Sequence, residues 1–205
     1  MKVIILGGRS GTSAMYRLLR ASFPACWGHT EPPGLADYIL NNLTDKEALK
    51  FALRDLENYD LAKCPEFAFC TNLLLEMYPN SRFIWLDRPL IDRVESHKNL
   101  GWHKDISEKI EANETLKTTI RLKTNKNPDG NSEYNDLLYF RVCDEFNRYF
   151  EAKNPDKVLR IQYADFNGLF LHTMERVARF LNIQPNPRWR QEKQRKHQAG
   201  RWTPK

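Results

Sequence analysis

The sequence predicts an α/β fold: a three-layer sandwich with a central, mostly parallel sheet and a P-loop-like phosphate-binding loop. Three observations predict it. Short apolar runs recur along the chain, and such runs are typical of buried parallel strands. Segments with helical spacing separate the runs, as βαβ units require. The glycine-rich residues 7–13 (GGRSGTS) follow the first run, where backbone N–H groups and a helix N-terminus can hold a phosphate.

The elements are predicted in a regular order. Residues 2–6 (KVIIL) form the first strand, and the spacing of Ala14, Met15, Leu18 and Leu19 predicts a helix from residue 11 onward. The remaining elements are a Pro- and Gly-rich loop at 24–36, a helix at 44–57, a short strand at 59–63, a helix at 66–78, a strand at 82–87, a helix from Pro89 to residue 98, a helix at 133–152, a strand at 157–162 and a helix at 169–181.

The segment 99–132 is more polar than its surroundings. One helix is predicted at 106–122, and the turn-rich residues 125–132 follow it. We interpret 99–132 as an insertion or lid that contributes to substrate binding. The whole chain, 1–205, is expected to form a single domain.

Composition excludes several classes of protein. With 41% hydrophobic and 28% charged residues, the chain is globular rather than disordered or collagenous. Its four cysteines show neither CxxC pairs nor zinc-ligand spacing, so we expect no disulfide framework and no metal knuckle. The first apolar run is too short for a signal peptide or a membrane span, and a cytoplasmic protein is expected.

The net charge of +6 is concentrated at the two ends of the chain. Residues 1–30 carry four basic and no acidic side chains, and residues 183–205 carry seven basic side chains and one acidic. An anionic ligand held between the two ends would account for this distribution. A solvated basic tail, or a tail that binds nucleic acid, is the alternative.

The glycine-rich loop does not follow the rule for nucleoside triphosphates. Thr12 stands where a Walker A loop has its lysine, so the cation of this loop is Arg9. The hydroxyls of Ser10, Thr12 and Ser13 and the backbone N–H groups still suit an anion. A glycine turn that leads into a capped helix is the structural alternative.

The loop resembles the 5′-phosphosulfate-binding loop, [KR]-S-G-T-[ST], of sulfotransferases that use 3′-phosphoadenosine 5′-phosphosulfate (PAPS). A second match follows the strand at 82–87, where Arg88, Asp92 and Ser96 have the spacing with which that family holds the 3′-phosphate. A weaker match is Tyr163 in Q-Y-A-D, which is similar to the family's Y-E-D, whose tyrosine approaches the adenine.

A further match lies in the basic C-terminal segment 183–205. Arg195, Lys196, Gly200 and Trp202 fit the R-K-G-x-x-G-x-W motif of the cytosolic branch of the family, and His197 replaces the first glycine. This segment is therefore expected to bind the cofactor.

The resemblance implies a PAPS-dependent sulfotransferase. Such an enzyme would transfer the sulfuryl group of PAPS to a hydroxyl or amine acceptor by in-line displacement. The product would be PAP (3′-phosphoadenosine 5′-phosphate), and no metal is expected. The residues expected to bind the cofactor are Arg9, Ser10, Gly11, Thr12, Ser13, Arg88, Ser96, Tyr163, Arg195 and Lys196.

Four residues are expected to act in catalysis. Arg9, and Lys63 as a second cation at a strand end, would stabilise the charge on the departing phosphate. The catalytic His of the cytosolic branch would fall at Pro65. The tyrosylprotein and heparan branches use a Glu in the loop after the first helix, which makes Glu31 the expected base and His29 the alternative.

Two other functions remain open from the sequence. One is a nucleotide or small-molecule kinase of the same fold class, although it would lack its Gly-Lys-Ser. The other is a non-catalytic protein that binds anions or nucleic acid through the basic tail. The expected acceptor is a small molecule, a glycan or a peptide, and we expect no membrane or nucleic-acid partner. The sequence contains no recognisable acceptor code and does not indicate an oligomeric state.

Overall fold

Four parallel strands form the central sheet of the computed structural model, which describes residues 2–26, 34–189 and 191. The strands are β1 (Val3–Leu6), β2 (Leu61–Lys63), β3 (Arg82–Asp87) and β4 (Val158–Gln162). Their order in the sheet is β2-β1-β3-β4, and every pair is parallel. The predicted α/β fold with a parallel sheet is confirmed.

Helices cover both faces of this sheet. They are α1 (Thr12–Arg20), α2 (Leu35–Asn41), α3 (Lys46–Leu53), α4 (Thr71–Met77), α5 (Leu90–Lys98), α6 (His103–Ala112), α7 (Glu114–Thr124), α8 (Ser132–Lys153), α9 (Tyr163–Gly168) and α10 (Phe170–Leu181). Two 3-10 helices, Arg54–Asn58 and Pro65–Cys70, precede β2 and α4.

Alternate residues of β1 point into two separate cores, which is why the whole run is apolar. Val3 and Ile5 are fully buried in the cluster that includes α1 and α10. Ile4 and Leu6 lie in the cluster on the opposite face, together with α3 and α4. The sheet is therefore the middle of three layers, as predicted.

The strand order indicates where a ligand would bind, at the carboxyl ends of the strands. The chain runs from β1 to β2 on one side and then crosses β1 to reach β3 on the other. Ligands of open parallel sheets bind outside the carboxyl ends of the strands at such a switch point. Here that point is formed by the loop after β1 and the residues that follow β3.

The structure corrects the predicted helix at 106–122. Two helices, α6 and α7, occupy this segment and meet at Asn113, whose backbone is extended. The side chain of Asn113 accepts a hydrogen bond from the Leu116 N–H at 2.8 Å, so it ends one helix and caps the next. Apolar spacing that continues across the cap hid this break.

Other boundaries also differ from the prediction. Pro89 has φ −48° and ψ 136° and precedes the helix, which begins at Leu90. The predicted helix at 66–78 begins as a 3-10 helix from Pro65. Helix α2 begins at Leu35, at the end of the predicted loop 24–36, and α9 follows β4 directly. Both of these are short, and a seven- or six-residue helix has little periodic signal.

The segment 99–132 contributes to the core. Ile106, Ile110, Leu116 and Ile120 are buried in a third hydrophobic cluster. They pack against buried residues of α8, such as Leu138. A role of this segment in substrate binding stays a prediction. In the described part of the chain, no helix is both long and apolar enough to cross a membrane.

Candidate anion-binding site

The loop between β1 and α1 has an unusual backbone. Gly7 and Gly11 have φ values of +105° and +86°, and Arg9 has φ 53°. Positive φ is uncommon for a residue with a side chain. Such a conformation costs roughly 1–3 kcal/mol and persists where the surrounding structure imposes it, often at functional sites.

Close packing explains the glycines of the loop. A Cβ on Gly7 would lie 2.5 Å from the carbonyl oxygen of Leu86 on the neighbouring β3, too close for any side chain. A Cβ on Gly8 would lie 2.9 Å from the Phe140 ring of α8, and one on Gly11 would lie 3.0 Å from the Tyr163 ring. The loop therefore runs against three other elements of the fold.

The loop ends at an N-terminus of α1 that lacks a side-chain cap among the described residues. Gly11 is the N-cap, and the first turn contains no acidic residue. Ser10 is buried and its hydroxyl donates to the Gly8 carbonyl at 3.0 Å, which holds the loop and leaves the first N–H groups of α1 for a ligand. An uncapped helix N-terminus with its positive dipole end favours an anion.

Arg9 connects this loop to the residues after β3. Its Nε and Nη2 donate to the Oγ of Ser96 at 3.3 and 2.8 Å. Arg88 donates from Nη1 to the Arg9 carbonyl oxygen at 3.1 Å. The two side chains predicted to hold a 3′-phosphate therefore both contact the cation of the predicted 5′-phosphosulfate loop.

The charge at this point is positive and poorly neutralised. Burial lowers the pKa of Arg9, and the nearby Arg88 guanidinium lowers it further. Among the described residues, the carboxylate that pairs with Arg88 is that of Asp92, at 3.9 Å from Nε. The Arg88 Nε is buried and has no hydrogen-bond partner among the described residues. Two half-buried guanidiniums in this state fit an anionic ligand, which would supply the missing acceptor.

Two aromatic rings border the cations. The Arg88 guanidinium lies over the Tyr163 ring at 4.6 Å, and the Arg9 guanidinium lies over the Trp102 ring at 5.0 Å. Tyr163 is the first residue of α9, directly after β4. Aromatic faces hold guanidiniums by cation–π attraction without neutralising them.

Lys63 lies at the same edge of the sheet. It is the last residue of β2, is half-buried, and stands opposite Ile5 in the parallel register. The glycine-rich loop begins two residues after Ile5, so Lys63 and the loop leave neighbouring strands side by side.

The structure thus brings together the predicted residues of the first loop with Arg88, Ser96, Tyr163 and Lys63. Asp92 lies beside Arg88. The remaining predicted site residues lie outside the described residues; they are His29, Glu31, Arg195, Lys196, Gly200 and Trp202. No group of three or more His, Cys, Asp or Glu within the described ranges could hold a metal ion, and the absence of a metal requirement stays a prediction.

Sequence reasoning missed several neighbours of the site. Trp102 and Phe140 contact Arg9 and Gly8, but each is a single aromatic residue in a segment without a motif. His97 is not among the residues that the sequence predicts for the site, although it follows Ser96 directly. Its position next to a predicted ligand was the one available signal.

Comparisons with known proteins bear on the fold and on the family. A chain of known structure, a sulfotransferase domain from the curacin biosynthetic pathway, has the same fold: it is 14% identical, the match covers 92% of this chain and 76% of that one, and the TM-score is 0.56. A search of curated proteins gave no match. A family model described as "Sulfotransferase family" matches residues 30–187. This match excludes the glycine-rich loop, so it is independent of the motif that first indicated the function, and it shows that the chain belongs to the sulfotransferase family.

Proposed function

We propose that this protein transfers a sulfuryl group from PAPS to a hydroxyl or amine acceptor. One observation carries the proposal: Arg88 and Ser96 both bond to Arg9 beside the N-terminus of α1. Two positively charged positions are thus adjacent, as a donor with phosphates at both its 5′ and 3′ positions requires. Membership of the sulfotransferase family supports the same reaction.

The loop and α1 would bind the 5′ end of the donor. Backbone N–H groups and the hydroxyls of Thr12 and Ser13 suit phosphate oxygens. Arg88 and Ser96, with Arg195 and Lys196 of the C-terminal segment, would bind the 3′-phosphate. Tyr163, already beside Arg88 and Gly11, would contact the adenine.

The reaction requires alignment and stabilisation of charge. The acceptor oxygen or nitrogen attacks sulfur in line, and the bond from sulfur to the 5′-phosphate oxygen breaks with its electron pair on that oxygen. Arg9 and Lys63 would stabilise the new negative charge. Glu31, or His29 in its place, is the base that the resemblance implies, and the function proposed here depends on neither.

Binding of PAP by calorimetry tests the proposal, with AMP and with ATP plus magnesium as comparators. PAP should bind without a metal, and AMP at least roughly a hundredfold more weakly, about 2.7 kcal/mol, because it lacks the 3′-phosphate. If ATP with magnesium binds best, the kinase alternative replaces the proposal. If no nucleotide binds, the protein is not a PAPS-dependent transferase.

The C-terminal segment needs a separate test. A double variant, Arg195→Ala with Lys196→Ala, should weaken PAP and leave AMP nearly unchanged, because the two side chains are assigned to the 3′-phosphate. Equal weakening of PAP and AMP would assign them to another part of the donor. Arg188→Ala, in the same segment but outside the motif, is the matched control.

A further inference from the structure

A histidine and an aspartate form a buried pair next to the donor site. The Nδ1 of His97 lies 2.8 Å from Oδ1 of Asp136 on α8. Both side chains are buried, with exposures of 9% for the histidine and 0% for the aspartate. His97 follows Ser96, whose hydroxyl accepts from Arg9. The pair is therefore one residue along α5 from a side chain of the proposed donor site.

Ring contacts link His97 to the glycine-rich loop on two sides. Its ring lies 5.0 Å from that of Phe140, and Phe140 packs against Gly8. On the other side it lies 5.8 Å from the ring of Trp102, edge to face. Trp102 carries the Arg9 guanidinium over its own ring. The imidazole is thus one aromatic ring away from the loop and one from its cation.

The carboxylate determines which nitrogen carries the proton. An ionised carboxylate only accepts hydrogen bonds, so Nδ1 donates to Asp136 and the neutral ring has its lone pair on Nε2. Nε2 makes no hydrogen bond with the described residues. Oδ2 of Asp136 is buried and also lacks a partner within the described part of the chain. Such a carboxylate stabilises the positive charge that the ring acquires when Nε2 takes a proton.

We propose that His97, oriented by Asp136, is the residue that removes the proton from the acceptor. This inference rests on the proposed function. Nε2 of His97 takes the proton of the acceptor O–H or N–H as the acceptor atom forms its bond to sulfur. The bond from sulfur to the 5′-phosphate oxygen breaks, and its electron pair stays on the leaving PAP. Asp136 keeps its negative charge throughout.

Two acceptors of different acidity test this role in the full chain. Transfer from PAPS to phenol needs a base, whereas transfer to 4-nitrophenol needs it far less because that hydroxyl ionises readily. His97→Gln should lower kcat for phenol by roughly a hundredfold or more and for 4-nitrophenol by less than roughly tenfold. The Kd for PAP should stay unchanged. Asp136→Asn should give a smaller loss of the same kind.

Two variants serve as comparisons. His172→Gln removes an exposed histidine of α10 and should leave turnover unchanged. Glu31→Gln examines the base implied by the resemblance. If Glu31→Gln shows the phenol-selective loss and His97→Gln does not, the proposal is wrong. Equal losses of His97→Gln with both phenols, or a parallel loss of PAP affinity, would make His97 a structural residue.

A second measurement needs no variant. Diethyl pyrocarbonate acylates unprotonated imidazole nitrogens, and peptide mass spectrometry locates the product. His97 should react in the folded protein, with loss of turnover and retention of PAP binding. If His97 stays unmodified while the exposed His172 is fully modified, Nε2 is closed to ligands and the proposal is wrong. Failure of the unmodified protein to bind PAP would instead refute the proposed function.

Discussion

Two pairs of charged groups in this protein are built in opposite ways: Arg93 with Asp144, and Arg9 with Arg88. Arg93 of α5 is fully buried and makes an ion pair with the buried Asp144 of α8. Arg9 and Arg88, at the carboxyl ends of the strands, are half-buried and lie beside each other. Within the described part of the chain, their one ion pair with a carboxylate is the 3.9 Å contact of Arg88 with Asp92.

This difference distinguishes an arginine that stabilises the fold from arginines that are available to bind a ligand. Removing two charges from water costs several kcal/mol per ion, and a pair recovers this cost only through a close partner. The partner of Arg93 is part of the fold, so this arginine joins α5 to α8. The sequence supplies no equally close partner for Arg9 and Arg88 in the described residues, and an anionic ligand would take that place.

The largest expected effect comes from removing one partner of the buried Arg93–Asp144 ion pair. Arg93→Met should lower the free energy of unfolding by about 3–5 kcal/mol, because it leaves the Asp144 charge buried and uncompensated. Urea unfolding measures the loss. The double variant R93M/D144L should be distinctly more stable than R93M. If R93M alone were as stable as the natural chain, the pair would not hold the helices together.

The next effect concerns Arg88, which has no close carboxylate partner among the described residues. Arg88→Ala should weaken PAP by roughly 10- to 150-fold, about 1.5–3 kcal/mol for a charge-assisted hydrogen bond. The free energy of unfolding should change little, since no close ion pair is broken. Arg82→Ala, at the opposite end of β3, is the matched control and should bind PAP normally in calorimetry. A loss of stability as large as that of R93M would contradict the division drawn here.

The backbone of the loop gives a third effect. Gly7→Ala should destabilise the protein by about 1–3 kcal/mol through its positive φ and weaken PAP as well, because the added Cβ would meet the Leu86 carbonyl. Gly130→Ala has a similar φ of +81° but only a 3.9 Å contact. It should show the cost in thermal unfolding without the loss of PAP. Equal PAP affinities of the two variants would mean that the backbone conformation at Gly7 does not contribute to PAP binding.

Salt should have the smallest effect. Raising sodium chloride from 50 to 500 mM should weaken PAP by roughly threefold, about 0.7 kcal/mol, because the two guanidiniums are partly exposed and ions screen them. The buried Arg93–Asp144 pair is screened much less. The free energy of unfolding should therefore depend on salt less than PAP binding does. A Kd for PAP independent of salt would argue against the unneutralised arginines as its ligands.

Much of this molecule could be predicted from local patterns. Continuous apolar runs predicted β1 and β3, because both faces of a parallel strand are buried. Arg9 could be named from the residues of the loop itself, whereas Arg88 and Ser96 were named because their spacing after the strand resembles that of the sulfotransferase family. The break at Asn113 was missed because a cap interrupts a helix without interrupting its apolar pattern.

Pairings between distant segments could not be predicted. His97 and Asp136 are 39 residues apart, and Arg93 and Asp144 are 51 apart, and neither pair has a motif. The role of a single histidine or of a buried arginine depends on the group that it contacts. Here the packing of α5 against α8 determines that group. The sequence alone determined the fold class and the glycine-rich loop, since these follow from local periodicity and composition, and its resemblance to a family named the residues that follow the strands. Only the tertiary structure decided which arginines are neutralised and which histidine lies beside the loop, because charge and proton transfer depend on distances across the chain.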